Sequence, residues 1–579
     1  MSSPIFSQVK AAYAATSIFN LSFENKLTTN WFRITPILCK EVLPGDTWRV
    51  SSEILVRLAP MFAPLMHQIK VYTHFFFVPY RLLWDEWESF ITQSEQGHLS
   101  SGVPTELPTV TVPFSVTEAA GGPLWASFGS GSLSDYLGLN FNAAGLNFDV
   151  DQEVDPCTFQ YLPFLAYSKI YNDFYRDENL EDDDFVPAIS GNFTYGTSDL
   201  DVERCFSWRY RYWKKDYFTS ALPWTQKGSD VTLPLGGTAP VTGTVDFSVG
   251  GLSIPSNQVR SFEYYDGSDS GTSTDVLFQN GNLLGESAPG TRTRIYGNIP
   301  KSVTGYQNIS QKLLGVTADL SQATPTTINE LRRAIALQRW EEINARGGTR
   351  YVEQLAAHFG VRPRDSRLQR AEYLGGGVSD VVISEVLQTS ASEKTDSNGN
   401  TTVSPQGNMA GHGISASYNH AFKRYFDEHG VVIGLLTIVP KANYFQGAQR
   451  MYLKRSVYDF GWPSLAHLGE QPIYTSELFN EGIERDVEAD EVVFGYTPRY
   501  AEYKFSNDEI HGDFRTSLSN WHAGRLFAST PALNYQFANG ENFAPDVFAV
   551  NDGEDPFWIQ LYNDCKVTRK LPKFGTPSL

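Results

Sequence analysis

The sequence predicts an all-β core built as an antiparallel jelly roll, with large loop and helical insertions. Runs rich in β-branched and aromatic residues occur close together near the start of the chain. Similar runs return in its last third, with helices and loops between the two sets. Distant segments must then pair, and two Greek keys folded into a pair of sheets are the commonest architecture of that kind.

The first strands lie in the range 24–94, after an N-terminal arm at 1–23. The runs are "WFRITPILC", "TWRVSSEILVRL" and "IKVYTHFFFV", separated by "LPGD" and "APMFAP". The third run is apolar on both faces, which indicates a strand buried on both sides. Pro79 ends it, and a short aromatic helix follows. We therefore predict five core or interface aromatics: Phe75, Phe76, Phe77, Trp84 and Trp87.

The middle of the chain predicts insertions. Residues 95–227 mix Pro, Gly and acidic loops with short aromatic elements, and 228–307 are rich in Gly, Ser and Thr, typical of exposed short strands. Residues 308–425 predict helices and loops. "INELRRAIALQRWEEINAR" follows a capping box at Thr327, and "TRYVEQLAAHFG" predicts a second helix. The glycines of "YLGGGVSD" predict a tight loop.

The remaining strands fall within 426–563. They are "VVIGLLTIVP", "EVVFGYTPRYAEYKF" and, less clearly, "DPFWIQLY". Residues 564–579 predict a basic C-terminal tail.

Composition indicates a soluble, globular chain. Of 579 residues, 41% are hydrophobic and 19% charged, and no stretch has the length and apolarity of a membrane span. The four scattered cysteines are typical of reduced thiols in a cytoplasmic setting. A net charge of -19 implies that any contact with nucleic acid is local.

Known catalytic motifs are absent from the sequence. It has no nucleophile elbow, Walker loop, HExxH or dinucleotide fingerprint, and its histidines lack ligand spacing. The acidic run "RDENLEDDDF" lacks the glycine and final glutamate of a calcium loop. We therefore predict no catalytic residue, no metal site and no cofactor.

Positive charge is concentrated in two segments. Residues 332–370 hold nine arginines and four acids, a balance of +5, and residues 566–579 of the tail add four cations without an acid. Ion pairing of Arg339 and Arg346 with Glu342 and contact with phosphates both remain open for the helix. The candidates for DNA contact are Arg332, Arg333, Arg339, Arg346, Arg350, Arg367, Arg370, Lys566, Arg569, Lys570 and Lys573.

Several longer motifs resemble one family. In order they are "LPGDTWRV", "FFFVPYRLLWDEWESF", "NARGGTRYVEQLAAHFGV", "RLQRAEYLGGG", "SPQGNMAGHG", "NYFQGAQRMYL", and "FGYTPRYAEYKF" followed by "GDFR". From about residue 20 to 525 the chain resembles the major capsid proteins of the Microviridae, small icosahedral single-stranded DNA bacteriophages. The gokushoviruses, which lack separate spike proteins, fit best.

The resemblance implies a single eight-stranded jelly roll of the viral capsid type. It also implies a T=1 icosahedral shell of about sixty copies around a circular single-stranded DNA genome, assembled in the cytoplasm of the host bacterium. Further partners would be a small basic internal DNA-binding protein and a receptor on the host surface, with 228–307 as a three-fold surface protrusion. The competing hypothesis is a β-sandwich protein that binds or degrades polysaccharide, since Trp, Tyr and Asp rich loops also suit sugars.

Overall fold

The computed structural model divides the chain into two compact units, each described by itself. One comprises residues 1–227 and 342–579 and the other residues 228–341. The residues that the structure describes are 16–92, 106–112, 128–139, 157–196, 203–228, 231, 241–246, 248–249, 252–253, 260–264, 274–279, 282–286, 312–318, 328–347, 350–360, 369–387, 392–395, 401–404, 409–480, 492–549 and 553–573.

The larger unit contains a six-stranded antiparallel sheet. Its strands are β1 (Ser17–Asn20), β2 (Phe23–Thr29), β4 (Thr47–Leu58), β17 (Val382–Leu387), β20 (Met409–Tyr425) and β24 (Phe557–Arg569). The order is β1-β24-β4-β20-β17, and β2 also pairs with β24. Strand β24, the least clear strand in the sequence, therefore lies inside this sheet.

A four-stranded antiparallel sheet lies in the same unit. Its strands are β3 (Thr35–Val42), β5 (Ile69–Pro79), β16 (Glu372–Asp380) and β21 (Gly430–Pro440), in the order β16-β5-β21-β3. Every residue of β21 is buried. Its almost uniformly apolar sequence is typical of a strand covered on both faces.

The core between the two sheets explains part of the aromatic run in β5. Phe75 and Phe77 point into this core, where they meet residues of β4, β21 and β24 such as Trp48, Val432 and Phe557. The ring centroids of Phe77 and Phe426 are 4.7 Å apart. Side chains from both sheets thus interdigitate, as in other β-sandwiches.

A second core covers the opposite face of the four-stranded sheet. Phe76 packs there with residues of the 157–212 segment, and its ring centroid is 4.8 Å from that of Phe174. Trp84 is buried in this core and donates its Nε1 hydrogen to Ser190 at 2.9 Å. Trp87 is partly buried, and its ring centroid lies 4.8 Å from that of Tyr80. The insertion therefore shields aromatic area that the sandwich leaves uncovered.

Shorter elements complete the larger unit. The further strands are β6 (Thr109–Val112), β7 (Cys157–Gln160), β8 (Asn192–Thr194), β18 (Ser392–Thr395), β19 (Thr401–Ser404), β22 (Glu470–Tyr474) and β23 (Val493–Pro498). The helices are α1 (Trp87–Thr92), α2 (Leu133–Leu137), α3 (Leu162–Ile170), α5 (Tyr351–Phe359) and α6 (Tyr535–Ala538). Helix α5 ends at Gly360 in the left-handed conformation, φ +66°, which confirms the predicted second helix and its stop.

The smaller unit is described mainly as short strands. They are β9 (Val241–Asp246), β10 (Ser248–Val249), β11 (Leu252–Ser253), β12 (Arg260–Tyr264), β13 (Thr274–Gln279), β14 (Asn282–Glu286) and β15 (Lys312–Ala318). They pair as β10-β11, β12-β13-β14 and β15-β9. Helix α4 (Ile328–Arg346) begins in this unit and ends in the larger one. Thr327 of the predicted capping box lies outside the described residues.

The glycine run of "YLGGGVSD" forms strand β16, so the predicted tight loop is wrong. A Cβ atom on Gly376 would lie 2.1 Å from the backbone oxygen of Thr73, and one on Gly375 would lie 2.2 Å from that of Ala421. The glycines therefore allow a close approach of backbones rather than a turn.

Two ranges also differ from their expected character. Residues 308–425, expected to hold helices and loops, contain β16, β17 and β20 of the two sheets. Residues 564–569, expected to begin a basic tail, belong to β24. In β20 several buried positions hold glycine or serine (Gly411, Gly413 and Ser415), so the alternation of apolar and polar residues that marks a strand is lost.

Candidate nucleic-acid interface

A cleft in the larger unit gathers three of the arginines predicted from the sequence. Arg346 ends helix α4, Arg350 immediately precedes α5, and Arg370 lies just before β16. All three line a cleft of about 950 Å³. Its volume is in the range of small-molecule sites, and its wall includes residues of β5 and of the 174–179 and 211–215 segments.

Aromatic rings hold two guanidinium groups at this cleft. The Cζ atom of Arg211 is 4.1 Å from the ring centroid of Tyr72 and 5.9 Å from that of Tyr175. That of Arg370 is 4.7 Å from the ring of Phe174. A guanidinium held against a ring by cation–π attraction can still donate hydrogen bonds from its N–H groups.

The charge of the lining residues is positive. Seven cations (Arg176, Arg211, Lys214, Lys215, Arg346, Arg350 and Arg370) and three acids (Asp177, Glu178 and Glu353) give a local balance of +4. The whole chain carries -19. Such a cleft concentrates anions from solution.

Several of these cations have structural partners. Arg350 lies 3.0 Å from Glu178 and donates to the backbone oxygen of Arg176 at 2.7 Å. Arg346 pairs with Glu470 of β22, and ion pairing is one of the two alternatives that the sequence leaves open for this helix. Burial raises the pKa of Glu178 and Glu470, while the adjacent arginines act in the opposite direction. Because their side chains are already engaged by these protein groups, Arg346 and Arg350 fix the shape of the cleft.

Arg211 and Lys214 are the cations best placed to meet an anion. Arg211 donates from Nη1 to the Thr437 hydroxyl at 3.2 Å, and Lys214 is exposed. Within the described ranges, neither is paired with a carboxylate. Sequence reasoning missed both, although basic and aromatic residues alternate in "WRYRYWKKDY" (208–217), a pattern that favours contact with nucleic acid.

His74 adds a neutral ring to the cleft. Burial, and then the charge of Arg211, lower its pKa to about 4. Its Nδ1 lies 2.6 Å from the Tyr175 hydroxyl. At neutral pH the ring is therefore uncharged and adds to the aromatic lining.

A second cationic surface crosses the exposed face of the six-stranded sheet. Lys423 on β20, Arg49 on β4 and Lys566 on β24 lie directly opposite one another in the strand register, and all three are exposed. We call them the cation row. Lys566 lies 3.4 Å from Asp564, but in the described part of the chain no acid pairs with Lys423 or Arg49. Like charges so placed repel one another, and a bound anion would relieve that cost.

The other predicted cations are dispersed. Arg332, Arg333 and Arg339 are exposed on α4 in the smaller unit, and Arg367 lies outside the described residues. Lys570 and Lys573 are exposed just beyond β24. Arg569 is held against the buried Asp46 and is a structural residue rather than part of a flexible arm.

The described residues contain no group of three His, Cys, Asp or Glu side chains arranged as metal ligands. Cys39, Cys157, Cys205 and Cys565 are free thiols, and burial raises the pKa of Cys39 to about 12. No helix in the described ranges is long and apolar enough to cross a membrane.

Two packed antiparallel sheets with cationic surfaces define a structural β-sandwich protein. The family model for "Capsid protein (F protein)" matches residues 7–579, so the chain belongs to this family of phage capsid proteins. The resemblance to Microviridae capsid proteins is thereby confirmed.

Full-length relatives agree with this assignment. The chain is 34% identical to capsid protein VP1 of Chlamydia phage 1 and 34% identical to capsid protein VP1 of Bdellovibrio phage phiMH2K. It is 28% identical to capsid protein VP1 of Spiroplasma virus 4. Each match covers 99% of this chain and 97% of the relative. The protein is therefore a phage major capsid protein with a structural role in the virion shell.

Proposed function

We propose that this capsid protein folds as an eight-stranded jelly roll whose copies close into a T=1 shell of about sixty subunits around a circular single-stranded DNA genome. Assembly takes place in the cytoplasm of the host bacterium. The observation that carries the DNA part of this proposal is the aromatic and cationic cleft around Arg211 and Arg370.

The order of the strands supports the jelly roll. Strands β2, β24, β4 and β20 are neighbours in one sheet, and β3, β21, β5 and β16 are neighbours in the other. Along the chain, β2, β3, β4 and β5 alternate between the sheets, and β16, β20, β21 and β24 alternate again. Two such alternating sets, joined by the pair of β5 and β16, are the pattern of two Greek keys.

The chemistry of the cleft supports contact with single-stranded DNA. Unpaired bases stack on aromatic rings and on guanidinium planes, while phosphates attract nearby cations. Arg211 and Arg370 offer guanidinium groups already held against aromatic rings, and Lys214 offers an exposed ammonium group. The cation row lies on the exposed face of the other sheet, on the opposite side of the sandwich, and is a separate candidate surface for phosphates.

The remaining partners are those that the resemblance to the Microviridae implies, and the charge and composition of the chain agree with them. A capsid protein with a net charge of -19 neutralises few genome phosphates. A small basic internal DNA-binding protein would therefore share that role. The Gly, Ser and Thr rich residues 228–307 would form the protrusion at the three-fold axes that meets a receptor on the host surface. Deleting them should spare assembly and reduce attachment to bacteria.

Binding of a labelled single-stranded oligonucleotide tests the DNA contact. The double variant Arg211→Gln, Lys214→Gln should bind about tenfold more weakly, and the dependence of log K on log salt should become shallower by about 0.7 for each phosphate that is no longer neutralised. The control is Lys70→Gln, because Lys70 already pairs with Asp380 at 3.5 Å. Unchanged affinity and slope in the double variant would remove the cleft from the proposal.

Sedimentation and electron microscopy of the purified wild-type protein test the shell. Closed particles of uniform small diameter are expected. A protein that stays monomeric at every concentration would contradict the proposed assembly.

A further inference from the structure

An aromatic surface in the larger unit is left exposed by the residues that the structure describes. Within 452–462 and 503–505, six aromatic side chains are between 37% and 75% exposed. They are Tyr452, Tyr458, Phe460, Trp462, Tyr503 and Phe505. We call them the aromatic patch. Scattered exposed aromatics are normal on a protein surface, but such a concentration marks an interaction surface.

The rings of the patch are connected through shared partners. Lys454 lies with its Nζ 5.3 Å from the Phe460 ring and 4.1 Å from the Tyr503 ring. The backbone N–H of Gly461 donates to the Tyr503 hydroxyl at 3.3 Å. Phe505 and Tyr503 line the same 370 Å³ cleft as Met451. Phe460, Tyr503 and Phe505 are therefore linked through these partners, and Tyr452, Tyr458 and Trp462 lie within eight residues of Phe460 along the chain.

Local hydrogen bonds hold this surface in one conformation. Asp459 accepts from the backbone N–H groups of Arg455 and Ser456 at 2.9 and 2.7 Å. Trp462 donates from Nε1 to the backbone oxygen of Val457 at 2.9 Å, and Arg499 donates to that of Tyr458 at 3.0 Å. A prearranged surface loses little conformational freedom when a partner binds.

Two of the charges near the patch are already compensated. The side chain of Lys454 is 6% exposed and lies 3.8 Å from Glu502, and Asp459 is occupied by backbone N–H groups. A partner therefore meets aromatic area around two compensated charges, together with the exposed cations Arg455 and Lys504. Tyr, Trp, Phe and Met are enriched in the cores of protein interfaces, and charged residues are depleted there.

The size of the patch fits a subunit interface. Six rings exposed by about half correspond to roughly 600 to 700 Å². With Met451 and Val457, also exposed, the area approaches the roughly 800 Å² that each partner contributes to a stable interface. Because a capsid protein must contact further copies of itself, the occupant that this area fits is a neighbouring subunit.

We propose that the aromatic patch is a contact between copies of this chain and is covered by a second copy in the assembled shell. This inference rests on the proposed shell assembly and adds the surface that drives it. The 370 Å³ cleft beside Tyr503 and Phe505 would receive a projecting side chain of the neighbouring copy, as interface cores commonly do.

Hydrogen–deuterium exchange of wild-type particles and of dissociated subunits tests the proposal without a mutation. Peptides covering 450–462 and 500–506 should exchange more slowly in particles. Equal exchange in the two states would overturn the proposal, as would a patch that stays open in particles while a host receptor or lipid protects it.

A double variant provides an independent test. Tyr458→Ser with Phe460→Ser should raise the protein concentration needed for assembly by at least about tenfold, with an unchanged thermal midpoint for the dissociated subunit. Phe62→Ser is the matched control, since Phe62 is equally exposed, at 55%, and lies outside the patch. Assembly of the double variant at wild-type concentration would refute the inference, whereas failure of the wild-type protein to assemble would instead refute the proposed shell.

Discussion

The guanidinium of Arg569, at the end of β24, forms an ion pair with the carboxylate of Asp46. Its Nη2 lies 2.6 Å from Oδ2, and its Nε lies 3.0 Å from both carboxylate oxygens. Asp46 is 0% exposed and also accepts from the backbone N–H of Leu43 and from Trp48 Nε1, each at 3.1 Å. The pair thus joins the last residue of β24 to the turn between β3 and β4.

Removing the cation from this pair should destabilise the subunit. Arg569→Gln leaves the charge of Asp46 buried and uncompensated, so we expect a loss of about 3 kcal/mol in the free energy of unfolding. Chemical denaturation measures it. Lys570→Gln is the control, because Lys570 is the next residue and is exposed, and its effect should stay within about 0.5 kcal/mol. Equal losses in the two variants would show that the ion pair contributes nothing.

A methyl group added to Gly376 of β16 should push β16 and β5 apart. Gly376→Ala places a carbon against the backbone oxygen of Thr73, which cannot move without disturbing β5. We expect a loss of about 2 kcal/mol or more in stability. Val378→Ala in the same strand, at an exposed position, is the control. A Gly376→Ala subunit with the wild-type denaturation midpoint would contradict the close approach.

The stability of the subunit should fall in acid partly because of His74. Its folded pKa of about 4 lies below the ordinary value of 6.5, since burial opposes the charged ring. The stability that the uncharged ring contributes is present above about pH 6.5 and is lost as the pH falls through 4. This loss lowers the free energy of unfolding by about 2 to 3 kcal/mol. His74→Gln cannot take up that proton, so its stability should depend less on pH between 7 and 4. Parallel curves for the two proteins, with His511→Gln as an exposed control, would contradict this assignment.

The cation row should show opposite effects on stability and on DNA binding. Neutralising Lys423 and Arg49 to Gln removes repulsion across β20 and β4, so the DNA-free subunit should become slightly more stable, by a few tenths of a kcal/mol. Affinity for single-stranded DNA should fall, with a shallower salt dependence. Thermal unfolding and filter binding measure the two quantities. A variant that loses both stability and affinity would indicate a structural role for the row.

The sequence revealed those parts of the fold whose side chains follow a simple pattern. Phe75, Phe76 and Phe77 were predicted as core or interface residues because both faces of their strand are apolar. Strand β16 was missed because three glycines usually mark a turn. Strand β24 was read only in part because its inward positions include Asn563 and Cys565 among apolar residues.

Three of the seven cations that line the cleft could be predicted from the sequence. Arg346, Arg350 and Arg370 were visible as a local excess of charge. Arg211 lies far from them in sequence and reaches the cleft because its segment packs on β5 and β21, next to Tyr72 and Thr437. Such proximity depends on the pairing of distant strands, which one sequence does not reveal.

The pairing of β4 with β24 has a consequence for synthesis on the ribosome. About 500 residues separate the two strands along the chain, yet they are neighbours inside one sheet. Until residue 569 has left the exit tunnel, β4 has an open edge that invites mispairing with other nascent chains. Shell building is thereby coupled to translation, because a prematurely terminated polypeptide lacks the strand that makes its sheet continuous.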